Sequence, residues 1–208
     1  MNSSFNPQDD LAQIRNIMER STKFLSLSAL SAILAGVYAL IGAGLAYKII
    51  YDSEVVLYFE LKNQFITPET LPLILIAGAV FVFAVGTALL LSYRKASAAG
   101  QPLWNAPAQR LFYNFLIPFS AGSVFVVILY FRGYYSLLAA STLLFYGIAM
   151  LNAGNFTFSD IRKLGMGEIA LGILAAIFPG KGLLFWALGF GVLHIVYGVI
   201  MYLKYERR

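Results

Sequence analysis

Apolar residues fill six long blocks of this chain, at residues 24–47, 71–92, 111–130, 136–153, 166–178 and 183–203, and charged residues fall almost wholly between them. About 20 residues of α-helix cross the roughly 30 Å hydrocarbon core of a bilayer, where every backbone donor and acceptor must be satisfied within its own helix. The pattern therefore predicts an all-α membrane protein of six transmembrane helices, joined by connections too short for a separate soluble domain. Its expected organisation is a leader over residues 1–23, one six-span domain over 24–203 and a tail over 204–208.

The leader opens on Asn6-Pro7 followed by Asp9 and Asp10: a capping side chain, a first-turn proline, and acids against the positive end of the helix dipole. Leu11, Ile14, Ile17 and Met18 then share one face, which predicts an amphipathic helix on the inner leaflet. Gly44-Leu45-Ala46 resembles a signal cleavage site, but the apolar run behind it is long enough for an uncleaved anchor. Within residues 48–70, the stretch 55–61 reads as a strand or an interfacial helix. Gly100, Pro102, Trp104 and Pro107 predict a non-helical connection over 96–109.

Three positions are expected helix breaks. Pro118 should kink the third span or free the carbonyl of Asn114. Pro179 and Gly180 close a fifth block that makes only about 20 Å of helix. A short, Pro/Gly-interrupted segment points to a binding site in transporters; a tilted helix, or one that begins earlier in the loop, gives the same pattern.

A repeat runs through the even spans. Tyr146-Gly147-Ile148-Ala149-Met150 matches Tyr197-Gly198-Val199-Ile200-Met201, with Val85-Gly86 at the equivalent place in the second span. Ile14-Arg15, Gln109-Arg110 and Ile161-Arg162 precede the odd spans. This suggests three hairpins in the same orientation about an axis along the membrane normal. Ser28, Ala32 and Gly36, beside Ala35, Ala39 and Ala43, give the first span two small-residue edges for close helix contact.

Composition agrees with the pattern: 60% of the 208 residues are hydrophobic and 12% charged, about half the usual charged share of soluble domains. The isoelectric point near 9.4 reflects topology. Arg15, Arg20, Lys23, Arg94, Lys95, Arg110, Arg162, Lys163, Lys204, Arg207 and Arg208 fall on one side of the alternating spans, whereas only Lys48, Lys62, Arg132 and Lys181 fall on the other. Positive residues stay inside, so both termini are expected in the cytoplasm of a bacterial inner membrane. Nucleic acid has no place in this account; the expected partners are the lipid bilayer and a protein partner or second copy.

Chemistry is sparse. With no cysteine and a single histidine, neither a metal nor a cofactor is expected. That histidine, His194, lies near the middle of the sixth span and should be neutral or paired. Tyr197 is one turn on along the same face, and Ser141 and Tyr146 of the fourth span complete a candidate midplane polar site. Glu168 is expected at the mouth of the fifth span, in an interface salt bridge with Arg162 or Lys163. The other carboxylates lie in loops or tails, so no paired acids are placed for intramembrane catalysis.

Six spans with Ser141 in the fourth and His194 in the sixth resemble the serine–histidine layout of rhomboid intramembrane proteases, with Gly198 beside the histidine as in that family's sixth helix. The resemblance implies proteolysis. Rhomboids, however, hold the serine in a Gly-x-Ser-Gly turn where this chain has Ala139-Ala140-Ser141-Thr142, and the histidine and asparagine expected on the second span are absent from 71–92. The whole chain also resembles uncharacterised six-helix bacterial inner-membrane proteins, most in residues 14–36, which implies no site residues. The leading expectation is a non-enzymatic integral membrane protein, structural or regulatory, acting through protein contacts. A small transporter or channel with a site around His194 is the alternative, and a rhomboid-like serine protease the remote one.

Overall fold

In a computed structural model, residues 23–52 and 70–207 are described, and every regular element among them is helical. The amphipathic leader and the 55–61 segment lie outside the described residues. The helices are α1 (Ala29–Asp52), α2 (Thr70–Ala98), α3 (Ala106–Phe131), α4 (Leu138–Ala153, entered through a single 3-10 turn at Tyr135–Leu137), α5 (Ser159–Ile177) and α6 (Gly182–Glu206). Five of them, all but α5, are long and apolar enough to cross a membrane. Helix α5 is about 28 Å long but carries Asp160, Arg162, Lys163 and Glu168.

Several boundaries differ from the sequence expectation, each for a local reason. Residues 24–28 are not helical, because the Phe24 N–H donates to the Phe156 carbonyl at 2.7 Å and the Phe24 carbonyl accepts from Thr157 Oγ1 at 2.7 Å. This short strap lies across the α4–α5 connection, and α1 starts only at Ala29. Helix α2 continues through Tyr93-Arg94-Lys95 to Ala98, since arginine and lysine are good helix formers, and stops near Gly100, whose φ of 65° favours glycine. Helix α3 begins at Ala106, ahead of the expected 111: the Asn105 side chain accepts the Ala108 N–H at 2.9 Å, and Pro107 sits in the first turn. Pro118 lies inside this helix, and Asn114 donates its side-chain amide to the Arg110 carbonyl at 2.8 Å. Helix α5 begins at Ser159, inside the expected loop, so the apparent shortness of the fifth block disappears. Gly180, with φ 85°, makes the turn from α5 into α6.

Helix α4 packs along both α3 and α5, α1 lies between α2 and α6, and α6 reaches α4 and α5. Two of these crossings are built alike. At the first, a Cβ added to Gly147 would lie 2.7 Å from the Gly165 carbonyl oxygen and 2.8 Å from Ile169 N, and one on Gly172 would lie 2.9 Å from Leu144 N and 3.0 Å from the Ala140 carbonyl. At the second, one on Gly198 would lie 2.9 Å from Ile33 N and 3.1 Å from the Ala29 carbonyl, and one on Gly36 would lie 2.6 Å from the Gly191 carbonyl and 3.1 Å from Ile195 N. Gly165-Ile169-Gly172 against Ala140-Leu144-Gly147 is thus matched by Ala29-Ile33-Gly36 against Gly191-Ile195-Gly198. Every triplet has the i, i+4, i+7 spacing of one helix face. Where lipid offers no hydrophobic drive, such backbone-to-backbone approach is what holds helices together. Gly86 of α2, by contrast, faces open space.

One end of the bundle is tied by polar groups. The Glu206 carboxylate accepts the Ala29 N–H at 3.0 Å and pairs with Lys95 Nζ at 2.7 Å, while Lys95 also donates to the Leu27 carbonyl at 2.8 Å. Asp160 accepts from Lys204 at 2.9 Å, Tyr205 at 2.8 Å and Lys163 at 3.3 Å. Burial alone would raise the Asp160 carboxyl, but these hydrogen bonds outweigh it and hold the group below the usual carboxylate range. Beneath them Ala29, Phe158, Ile161 and Met201 form an apolar cluster that Met150 joins.

Candidate functional site

The chemistry gathers where α4, α5 and α6 meet, and a missing side chain makes room for it. A Cβ on Gly189 of α6 would lie 2.5 Å from Glu168 Oε2 of α5 and 2.5 Å from Leu143 Cδ2 of α4. With glycine there, the Glu168 carboxyl enters the bundle and is fully buried, at 0% exposure, with His194 at 5%. Glu168 shares the packed stripe of α5 with Gly165 and Gly172, so the face that brings α4 close also carries the acid inward.

Helix α6 widens to i→i+5 bonding over Ala187–Leu193, directly before His194. Such π turns recur at functional places in helices. Here Gly189 lies within the widened turn, and His194 Nδ1 approaches its carbonyl at 3.0 Å. Glu168 Oε1 lies 3.2 Å from the same nitrogen, and the Tyr146 hydroxyl is 2.8 Å from Nε2. Both ring nitrogens are therefore engaged, by groups from three helices. Phe190 walls the site, with its ring 5.0 Å from Tyr146 and 5.9 Å from His194, and Phe115 of α3 meets Tyr146 edge-on at 6.0 Å.

The acceptors determine where the protons sit. A carbonyl 3.0 Å from Nδ1 needs a hydrogen on that nitrogen, so Nδ1 is a donor. Glu168 Oε1 lies beside this N–H at ion-pair distance, and neither carboxyl oxygen has a hydrogen-bonded donor among the described residues. An unpartnered carboxylate in such surroundings is very costly.

The residues singled out from sequence divide accordingly. Tyr146 and His194 are brought together. Ser141 is buried on α4 without a hydrogen bond to His194, whose nitrogens are occupied, so no serine–histidine dyad is formed. Tyr197 is half-buried, and the hydroxyl at His194 is Tyr146's. The expected interface pair of Glu168 with Arg162 or Lys163 is replaced. Lys163 turns to Asp160, Arg162 is exposed, and Glu168, five and six residues further on, points to the opposite, inner face. What sequence reasoning missed is the Glu168–His194 pairing; its signal was the glycine spacing on either side of Glu168. No family model, curated protein or solved structure matches the chain.

Proposed function

We propose that this chain is a six-span protein of a bacterial inner membrane, with both termini cytoplasmic and three like-oriented hairpins. In this reading it is a non-enzymatic component, structural or regulatory, that acts through protein contacts at its cytoplasmic end. Six crossings are supported by where the helix ends fall. The start of α1, the end of α2, the α4–α5 connection and the end of α6 are joined by hydrogen bonds at one end of the bundle. Helix α5 has the length of a crossing and exposes Met166, Ile173, Leu174 and Ile177 as a lipid-facing surface. The two matched glycine crossings support the hairpin repeat, since they map α4–α5 onto α6–α1.

The observation that carries the functional reading is the closure of the polar site: Glu168 and His194 are buried and mutually engaged, whereas a carrier must wet its midplane site from one side or the other. The test uses the absence of native cysteine. Ser141→Cys and Tyr197→Cys, each in oriented vesicles, should resist a membrane-impermeant thiol reagent while a cysteine at Gly133 or Asn155 labels from its own side. Labelling at Ser141→Cys from either side would overturn the packed-bundle reading and put transport first. The second reading, a small proton-linked transporter, is favoured by one observation, the acid and histidine held within the bundle beside a π turn.

A further inference from the structure

We propose that the bundle end where α2 closes and α3 begins is a binding surface for anionic phospholipid. Arg94 and Arg110 hold the headgroup phosphate there, and exposed apolar stripes of the same two helices take the acyl chains. The proposal deepens the reading above, since it rests on α2 and α3 crossing the bilayer, and it adds a lipid of defined charge to the partners of this end.

The charge balance carries it. At this end, residues 23–28, 93–110, 154–163 and 202–207 hold eight basic side chains and two acidic ones. Both acids are already committed within the fold: Asp160 to Lys163, Lys204 and Tyr205, and Glu206 to Lys95 and the Ala29 N–H. Arg94, Arg110, Arg162 and Arg207 are exposed, and none of them is ion-paired among the described residues. The surplus is positive and faces outward, so its complement is an anion.

The surroundings of two of these arginines select lipid over an acidic protein segment. Arg94 tops an exposed stripe of α2, with Leu90 one turn before it and Phe83 three turns before it. Phe83 is thus about 16 Å from Arg94 along the helix, a length that an acyl chain can follow. Arg110 heads the matching stripe of α3, with Tyr113 one turn on and Ile117 two turns on, the latter 70% exposed. These are also the two least covered helices: 0% of the most apolar stretch of α2 is buried, and 6% of that of α3. Between them the exposed Trp104 meets Phe112 edge-on at 5.5 Å, and amphipathic rings of this kind settle at headgroup depth. A guanidinium binds phosphate through two parallel N–H bonds. A zwitterionic headgroup brings its own cation to the same place, so a net anionic one is preferred.

The two tryptophans lie at opposite ends of the bundle and make the test local, Trp104 beside the arginines and Trp186 in the second turn of α6. Trp186→Phe leaves Trp104 as the only reporter, and Trp104→Phe leaves Trp186. Each chain is reconstituted in vesicles of phosphatidylcholine and phosphatidylglycerol, one of the two lipids carrying brominated acyl chains that quench tryptophan. Phosphatidylglycerol should be favoured about fivefold beside Trp104, with near parity beside Trp186. Adding Arg94→Gln and Arg110→Gln should bring Trp104 within about twofold of parity. Salt at about 1 M should shrink the preference similarly, a measurement that stands if the arginine variant fails to fold. Equal quenching by the two lipids at Trp104 would overturn the proposal and leave an acidic protein segment as the match. The same preference at both tryptophans, or one that survives loss of both arginines, would also overturn it. Quenching by neither lipid at Trp104 would overturn the crossing of α2 and α3 and the proposal with it. None of these results depends on cysteine labelling, so this proposal and the packed-bundle reading fail separately.

Discussion

Replacing Gly189 by alanine adds one methyl group at the point where three helices converge, and the structure gives its cost. The new carbon would sit 2.5 Å from Glu168 Oε2 and 2.5 Å from Leu143 Cδ2, whereas ordinary contact begins near 3.4 Å. Both neighbours must retreat by about 1 Å, and neither is free to do so, because Leu143 and Glu168 are each 0% exposed. Overpacking of this kind costs about 1–3 kcal/mol, a roughly 5- to 150-fold shift in the folded-to-unfolded ratio. The matched control is Gly86→Ala, where the methyl group meets open space and the higher helix propensity of alanine should leave stability equal or raised. Steric-trapping measurement of unfolding in lipid bicelles compares the two. If Gly189→Ala is as stable as Gly86→Ala, the close approach of α6 to α4 and α5 is wrong, and with it the position of Glu168.

Gly147→Ala and Gly198→Ala should destabilise by similar amounts, about 1–3 kcal/mol each, because each methyl group would strike a backbone nitrogen across its crossing, at 2.8 Å and 2.9 Å; unequal losses in the same unfolding assay would speak against equivalent crossings. Glu206→Ala should remove the cap from the first turn of α1 at about 1 kcal/mol, with less than about 1 kcal/mol more from the part-exposed pair with Lys95; hydrogen exchange at Ala29 should accelerate accordingly. Asp160 has its carboxyl held below the unfolded value, so its contribution is complete above about pH 4 and is lost as pH falls through the lowered folded value. The unfolding free energy measured across that acid range should therefore fall more steeply in wild type than in Asp160→Asn, and equal slopes would contradict the Lys204–Tyr205–Lys163 cluster.

The length of the apolar blocks alone is enough to read helices throughout the described residues, because the demand for about 20 satisfied residues is the same for any helix in lipid. The boundaries were less legible. Asn105 and Pro107 carry a start signal like that of Asn6-Pro7, yet Gly100 and Pro102 beside them read as loop, so the pattern starts α3 five residues after its observed first residue, Ala106. The polar first turns of α5 hid its beginning, since Asp160, Arg162 and Lys163 read as connection when counted by hydropathy. Small-residue spacing marked Gly36 and the repeat of the even spans marked Gly147 and Gly198, but neither signal says which helices they join, which depends on the order of helices around the bundle. Of the site, Tyr146 and His194 are legible in the sequence, whereas Glu168 reads as an interface residue. A carboxylate is assigned to water unless its partner is known, and here the partner lies on α6 beside a glycine whose meaning is purely spatial.

Glu168 is an acid within the bilayer only if α5 crosses the membrane. Single cysteines at Asn155 and Gly180, which bracket α5, measured with an impermeant thiol reagent in sealed vesicles of known orientation, test it directly. Asn155→Cys should react on the cytoplasmic face together with cysteines placed in both termini, and Gly180→Cys on the opposite face with Gly133→Cys. Labelling of Asn155→Cys and Gly180→Cys from the same face would contradict it.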